Sequence, residues 1–233
     1  MSFWEEQGKL KALTFSYDDG ITQDIRLIEL LNRYGLKCTF NLNSEFLSLR
    51  GTLMRNGKRI AHYKIHKEDV RRIYEGHEVA VHTLTHPSLA ECEDAEVIRQ
   101  VEQDRLNLSE LAGYEVVGMA YPNGSHDERV AGLIREHTGV KYSRTVTSTE
   151  NFDLQENLIQ FNPTVKHLSF DTMMALGQKF VDLKPDKPQI FYVWGHAYEM
   201  DYEEDYWVRL EEFCKLVSGK DDIFYGTNKE VLL

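Results

Sequence analysis

The sequence predicts an α/β protein built on a mainly parallel sheet or barrel. Apolar runs of strand length alternate with segments of helical periodicity along the whole chain. No internal repeat and no linker rich in Pro, Gly or Ser interrupts the order, so residues 1–233 are expected to form one domain. The side chains able to do chemistry fall just after the apolar runs, where parallel α/β folds collect their functional groups.

"KALTFSY" (11–17) reads as the first strand. Residues 22–35 read as an amphipathic helix, with Ile25, Ile28, Leu31 and Tyr34 on one face and Gly35 closing it. "KCTFNLN" (37–43) is the second strand. The stretch 44–66 is a long polar connection, an insertion whose "RNGKR" (55–59) carries the Asn-Gly signal of a tight hairpin. A short helix (67–76) ends at Gly76 and leads into a strand at 78–83. A long helix of mixed charge (91–113), a strand (115–122), a helix (127–138) and another strand (139–146) follow. A helix covers 168–181. "PQIFYVWGH" (188–196) is the most apolar strand, and a helix at 203–218 precedes a short strand at 222–226.

A hydrophobic fraction of 42% is ample for a core. The formal charge of −11 argues against nucleic acid and against an anionic membrane surface, both of which want a basic face. Cys38, Cys92 and Cys214 are odd in number and widely spaced, which excludes a disulfide framework and a cysteine zinc site. The N-terminus has no basic and apolar leader pattern, and no apolar run is long enough to span a membrane, so a cytoplasmic location is expected.

Asp18 and Asp19 follow the first strand side by side, ahead of Gly20. Two ionised carboxylates in a half-buried site repel unless something positive lies between them. His82 and His86 stand four apart after the third strand, a spacing that lets one helical turn or a tight loop point both imidazoles the same way. No glutamate follows the first histidine, so a zincin is a poor match. Two histidines and one carboxylate make a minimal site for Zn²⁺ or a similar divalent ion, and either Asp18 or Asp19 can supply the carboxylate. The other would lie beside the metal-bound water as a general base. His196 ends the apolar strand, and Arg144 sits late in the fifth. The remaining histidines, His62, His66, His126, His137 and His167, read as surface or local structural groups. His77 reads as support for the His82 loop. Tyr198, Glu199 and Tyr202 read as groove lining or as a solvated loop.

With "TFSYDDG" (14–20) and "HTLTHP" (82–87) on the page, the chain resembles the polysaccharide deacetylases, the NodB-homology carbohydrate esterases. The family's first motif, T-F-D-D-G, shares Asp-Asp-Gly with this sequence. Its second, H-[ST]-x-x-H, is matched in full, and the resemblance runs from about residue 10 to 200. It implies a distorted (β/α) barrel with about seven strands, Asp18 as catalytic base, and Asp19, His82 and His86 as ligands of one divalent ion. Zinc is expected, with Co²⁺, Ni²⁺ or Mn²⁺ as alternatives.

The third motif, R-x-P-x-G, reads "AYPNG" (120–124), with Ala120 in place of the arginine that orients the base. Arg144, at the next strand end, is expected to take that role. Tyr121, Pro122, Asn123 and Gly124 are expected to line the substrate site, with the Asn123 backbone N–H at the oxyanion. The Asp-x-Trp fourth motif has no counterpart. The fifth, Leu-x-His, appears as "WGH" (194–196), which makes His196 the general acid and Trp194 a wall for the acetyl methyl.

The expected reaction is hydrolysis of an N-acetyl group on a carbohydrate by metal-bound water, with O-acetyl as a secondary reading. Two further readings stand beside it: hydrolysis of a small non-sugar amide on the same machinery, and a degenerate carbohydrate-binding module. An aspartyl-phosphate phosphatase is a poor fit, because residues 14–20 lack D-x-D spacing.

Overall fold

The computed structural model describes residues 3–233. A short helix α1 (Phe3–Glu6) precedes strand β1 (Lys11–Asp18), helix α2 (Gln23–Arg33) and β2 (Cys38–Leu42). A hairpin of β3 (Arg50–Arg55) and β4 (Lys58–Tyr63) follows, then α3 (Val70–Ile73), β5 (Glu78–Val81) and α4 (Asp94–Ala112). Next come β6 (Gly118–Ala120), α5 (Glu128–His137), β7 (Tyr142–Arg144) and β8 (Val165–Lys166). The chain ends with α6 (Phe170–Asp182), β9 (Gln189–Gly195), α7 (Tyr206–Val217), β10 (Ile223–Tyr225) and α8 (Asn228–Leu232).

One curled sheet runs β7-β6-β5-β2-β1-β9-β8, with every pairing parallel. β10 pairs with β1 over Lys11–Leu13, while β2 pairs with it only from Phe15 onward, so the two share one edge of β1 in turn. The ring closes without a regular strand. Phe161 bridges Arg144 of β7, and four residues later Val165 pairs with Val193 of β9. That is the distorted barrel the sequence implies. All seven expected strands lie in the sheet, and the two-residue β8 is the addition.

The register aligns side chains in files. Leu13, Phe15 and Tyr17 of β1 pack with Cys38, Phe40 and Leu42 of β2, Val79 and Val81 of β5 and Phe191 and Val193 of β9 against the helices. The alternate residues point into the barrel, because strand side chains alternate faces. They stack in layers. Ala12 and Ile190 join Trp4, Phe161 and Val231 in an apolar floor. Above it lie Thr14, Thr39, Glu78, Tyr142 and Tyr192, all buried. Asn228, at the start of α8, plugs this layer: its amide donates to Thr14 Oγ1 (2.8 Å) and accepts from the Tyr192 hydroxyl (2.6 Å). Burial raises the Glu78 pKa, and Thr39 and Tyr142 hydroxyls at 2.7 and 2.9 Å donate to its carboxylate. The top layer, Ser16, Asp18, Asn41, Arg144 and Trp194, opens onto the site.

One helix face departs from the sequence reading. The buried face of α2 is Asp24, Leu27, Ile28 and Leu31, and Ile25 is exposed. The helix turns its acidic Asp24 inward because the carboxylate accepts from Ile21 N–H and the Tyr74 hydroxyl. The hairpin signalled at 55–59 is present, and it fills most of the 44–66 connection: Asn56 and Gly57, both at positive φ, join two six-residue strands.

Gly118 makes the middle layer possible, since a Cβ there would lie 2.0 Å from the Tyr142 hydroxyl. Gly118→Ala should therefore cost about 1–3 kcal/mol in denaturant unfolding. A loss below about 0.5 kcal/mol, the level of an indifferent surface substitution, would show that Tyr142 is not held as described.

Candidate active site

One cavity of about 740 Å³ lies over the carboxyl ends of the strands. Asp18, Asp19, His82, His86, Tyr121, Asn123, Trp194 and His196 line it. Pocket size and shape of this order suit a small organic ligand or part of a larger one. Arg144 lies just beneath, fully buried, and touches the cavity through Asp18. Pro122 and Gly124 do not line it. Pro122 is buried at the start of the turn, and Gly124, at φ 65°, packs so closely on Val146 that a Cβ would sit 2.3 Å from Cγ2.

Asp18 is the last residue of β1 and faces inward. Asp19 would face outward in an extended strand, but its φ of 86° turns the chain so that both carboxylates meet the same cavity. Gly20 must follow closely: a Cβ there would lie 2.7 Å from Leu42 Cδ2, at a φ of 60°. Burial pushes the Asp18 pKa up, but the Arg144 guanidinium outweighs it, aided by His82 and His196, and holds it below the usual value. Arg144 Nη2 donates to both Asp18 oxygens at 2.6 and 2.5 Å, and its Nε donates to Ser16 Oγ at 3.2 Å. Asn41 Nδ2 donates to Asp18 Oδ1 at 2.8 Å. The guanidinium thus reaches Asp18 from β7, the strand next to the one that ends in Ala120.

His82 and His86 sit on a tight loop, not a helical turn; Thr83 and His86 both take positive φ. His86 N–H donates to Thr83 Oγ1, and Asn43 ties down the His82 and Thr83 carbonyls. The rings stand 4.8 Å apart. His82 Nδ1 lies 2.8 Å from the Ala120 carbonyl, which fixes it as the N–H and leaves Nε2 as a donor atom. Burial depresses the His82 pKa to about 4 and lowers that of His86, so both imidazoles are neutral at pH 7. Asp19 is ionised: burial raises its pKa, but a His62 hydrogen bond and the Lys64 ammonium bring it well below normal.

One donor atom from each of Asp19, His82 and His86 lies within 4.8 Å of the others. Ions bound at about 2.0–2.2 Å hold their donors roughly 3–3.5 Å apart, so rotamer adjustment closes this set. Two neutral imidazoles and a carboxylate fit a borderline divalent cation such as zinc.

His196 faces the carboxylate pair, its Nε2 3.8 Å from Asp18 Oδ2. Burial lowers its pKa, but Glu199 reverses the shift, and the net direction is up. Glu199 Oε2 lies 3.1 Å from His196 Nδ1 and accepts from His196 N–H, while His167 Nε2 lies 2.7 Å away. Lys166 donates to its other oxygen at 2.7 Å. His167 Nδ1 in turn meets the Tyr17 hydroxyl at 2.8 Å.

Four residues do more, or other, than the sequence reading gave them. Glu199 lines the cavity, as one of its two readings had it, and is also the anchor of His196; its offset of three on a short turn could have signalled that. His167 is fully buried behind it. His62 is not a surface group: it reaches Asp19 Oδ2 at 3.4 Å from β4 and stacks edge-on against Tyr198. His77 does not support the His82 loop, since it hydrogen-bonds Cys38 N–H and Asn32 at the opposite end of the sheet.

Arg144→Met should lower stability by about 3–5 kcal/mol at pH 7, because Asp18 must then be buried without its partner, at the cost of desolvation or of taking up a proton. The double variant Asp18→Asn/Arg144→Met should recover most of that loss in chemical denaturation. Additive losses would mean that Arg144 stabilises the barrel independently of Asp18.

Residues 5–142 match the family model for polysaccharide deacetylase. A chitooligosaccharide deacetylase from Bradyrhizobium is 30% identical over 95 residues, covering 39% of this chain and 36% of that relative, so the match spans about a third of the relative's length. Among solved structures, a Mycobacterium smegmatis chain provisionally assigned as a polysaccharide deacetylase superposes with a TM-score of 0.68 at 16% identity, covering 97% of this chain and 90% of that one. A family 4 carbohydrate esterase from Streptomyces lividans, solved with acetate, gives 0.57 at 14%, covering 94% and 92%. A family 4 pseudoenzyme from Bacillus anthracis gives 0.55 at 14%, covering 95% and 65%. At these identities the structures speak to fold alone, and it is the family match over more than half the chain that decides: this protein belongs to the polysaccharide deacetylase family.

Proposed function

We propose that the chain is a metal-dependent deacetylase that hydrolyses an N-acetyl group on a carbohydrate. One observation carries the reading: a three-donor cation site, an ionised carboxylate and a raised-pKa imidazole share one cavity. Asp19, His82 and His86 would hold the ion, with zinc favoured by the donor set. When bound, such an ion lowers the pKa of water toward about 7 and polarises the acetyl carbonyl.

The chain's own residues do the rest. Asp18, kept ionised by Arg144, accepts the proton of the attacking water as general base. The two-oxygen grip of Arg144 fixes its orientation, so little reorganisation is needed as the proton moves. His196, whose pKa Glu199 raises, would give a proton to the leaving nitrogen, which would otherwise depart as a strongly basic anion. The Asn123 backbone N–H supports the developing oxyanion, and Trp194 and Tyr121 wall the acyl group. The same groups would serve an O-acetyl ester, with less demand on His196.

A binding module needs no base and acid of opposite charge 3.8 Å apart, so the paired Asp18 and His196 favour catalysis. A small amide differs from a sugar only in the substrate, which the following experiment separates.

Purified chain, reconstituted with zinc and analysed for metal, should hold about one ion and release acetate from N-acetylglucosamine oligomers in a chelator-sensitive way. Metal without acetate would shift the reading to a non-sugar amide; no metal after reconstitution would sink it. Asp19→Ala should lose the ion, whereas Asp18→Asn should keep it and lose about 10²–10⁴-fold in kcat. Tight metal retention in Asp19→Ala would refute the ligand assignment. Glu199→Gln should move the alkaline limb of the pH–rate profile to lower pH, since His196 loses the charge that raises its pKa. An unmoved limb would remove His196 from the acid role.

A further inference from the structure

The insertion is chemically unlike the chain that carries it. Acids outnumber bases 38 to 27 overall, yet residues 46–67 contain Arg50, Arg55, Lys58, Arg59, Lys64 and Lys67 and no Asp or Glu. The hairpin is docked as a fixed wall. Thr22 N–H donates to the Tyr63 carbonyl, Ile65 N–H to that of Gly20, and the Gln23 amide to that of Ala61. Lys58 Nζ donates to the Asp201 carbonyl at 2.9 Å, and Arg55 stacks on Tyr202. Leu49, Arg50, Gly51, His62 and Lys64 thereby line the cavity.

The lining cations differ in what they already hold. Lys64 is committed to Asp19, and Lys166 to Glu199. Arg50 is exposed, its guanidinium lies over the Tyr63 ring at 5.5 Å, and no carboxylate among the described residues pairs with it. Of the carboxylates that line the cavity, Asp18 is matched by Arg144 and Glu199 is shared by Lys166, His167 and His196. The wall therefore presents one free guanidinium to a cavity whose own acids are neutralised. A guanidinium matches carboxylate and phosphate oxygens in a two-pronged hydrogen bond, and a basic cleft raises the local concentration of anions.

Resting on the deacetylase reading, we infer that the preferred substrate is an acetylated carbohydrate that carries an anionic group, a carboxylate or a phosphate, and that Arg50 is the residue that selects for it. The Tyr63 ring beneath the guanidinium gives Arg50 a platform on the wall that it lends to the cavity.

The test compares N-acetylglucosamine with its 6-phosphate and with its 6-carboxylate, using the zinc-loaded chain. One or both anionic sugars should have a kcat/KM at least about tenfold above the neutral sugar, and 0.5 M salt should erase most of the gap. The better of the two identifies the anion. Arg50→Gln should raise KM for that sugar about tenfold with little change in kcat. Lys141→Gln, an equal loss of charge on an exposed site outside the hairpin, should leave the preference intact. Equal kcat/KM for all three sugars, or a preference that survives Arg50→Gln, would overturn the inference while leaving the deacetylase reading standing. If no sugar releases acetate, equilibrium dialysis of the same three sugars decides: tighter, Arg50-dependent binding of the anionic ones upholds the selection, and equal binding rejects it.

Discussion

A buried guanidinium sets the terms on which the rest of the site is built. Arg144 is fully buried in the top layer of a barrel, where an isolated charge would be very costly. It is tolerable there because Asp18 takes its Nη2 with both oxygens and Ser16 takes its Nε. The dependence runs both ways: without Arg144, burial would drive Asp18 toward its neutral form, useless as a base. Trp194 lies 4.6 Å from the Arg144 guanidinium, so the pair also fixes one wall of the cavity. A buried ion pair adds little net stability on general grounds, and here it holds a base ionised.

A second constraint organises the other half of the site. Glu199 is shared by His196, His167 and Lys166, and its negative charge raises the His196 pKa against the pull of burial. His167 can come that close because Gly195 has no side chain; a Cβ there would lie 2.3 Å from His167 Nε2. The two charged clusters meet where His196 faces Asp18. Between them, the histidines of the 82–86 loop stay neutral because burial outweighs their acidic neighbours. A carboxylate with a lowered pKa, an imidazole with a raised one and two with lowered ones thus coexist in one cavity through differences in partner, not in residue type.

Much of this was legible in the sequence. The strand-length apolar runs, the Asp-Asp-Gly after the first and the two histidines after the third all fall where the register puts them. The strand ends also placed Arg144 near Asp18, although the motif arginine is missing. What could not be read is what depends on long-range pairing. The two-residue β8 has no periodicity to detect and forms only because it lies against β9. Helix α8 is too short for a helical pattern, and its place as the barrel plug comes from Asn228 reaching Thr14 and Tyr192. His62 looked like one more surface histidine because nothing local says that the hairpin folds back onto Asp19. Ile25 was misassigned because its helix buries an aspartate in place of an isoleucine, and the donors that meet that aspartate, Ile21 N–H and the Tyr74 hydroxyl, lie outside the helix.

The central claim is that the site is electrostatically prepared before any ion arrives. Proton release on zinc binding at pH 6 tests it most directly, measured by calorimetry in buffers of differing ionisation enthalpy. Two ordinary histidines would be mostly protonated at that pH and would give up about 1.5 protons as the ion binds. With His82 depressed to about 4 by burial, His86 lowered and Asp19 already ionised, release of less than one proton is expected. Release of a proton or more would mean that the imidazoles are charged in the free protein, and that the ion, not the fold, prepares the site.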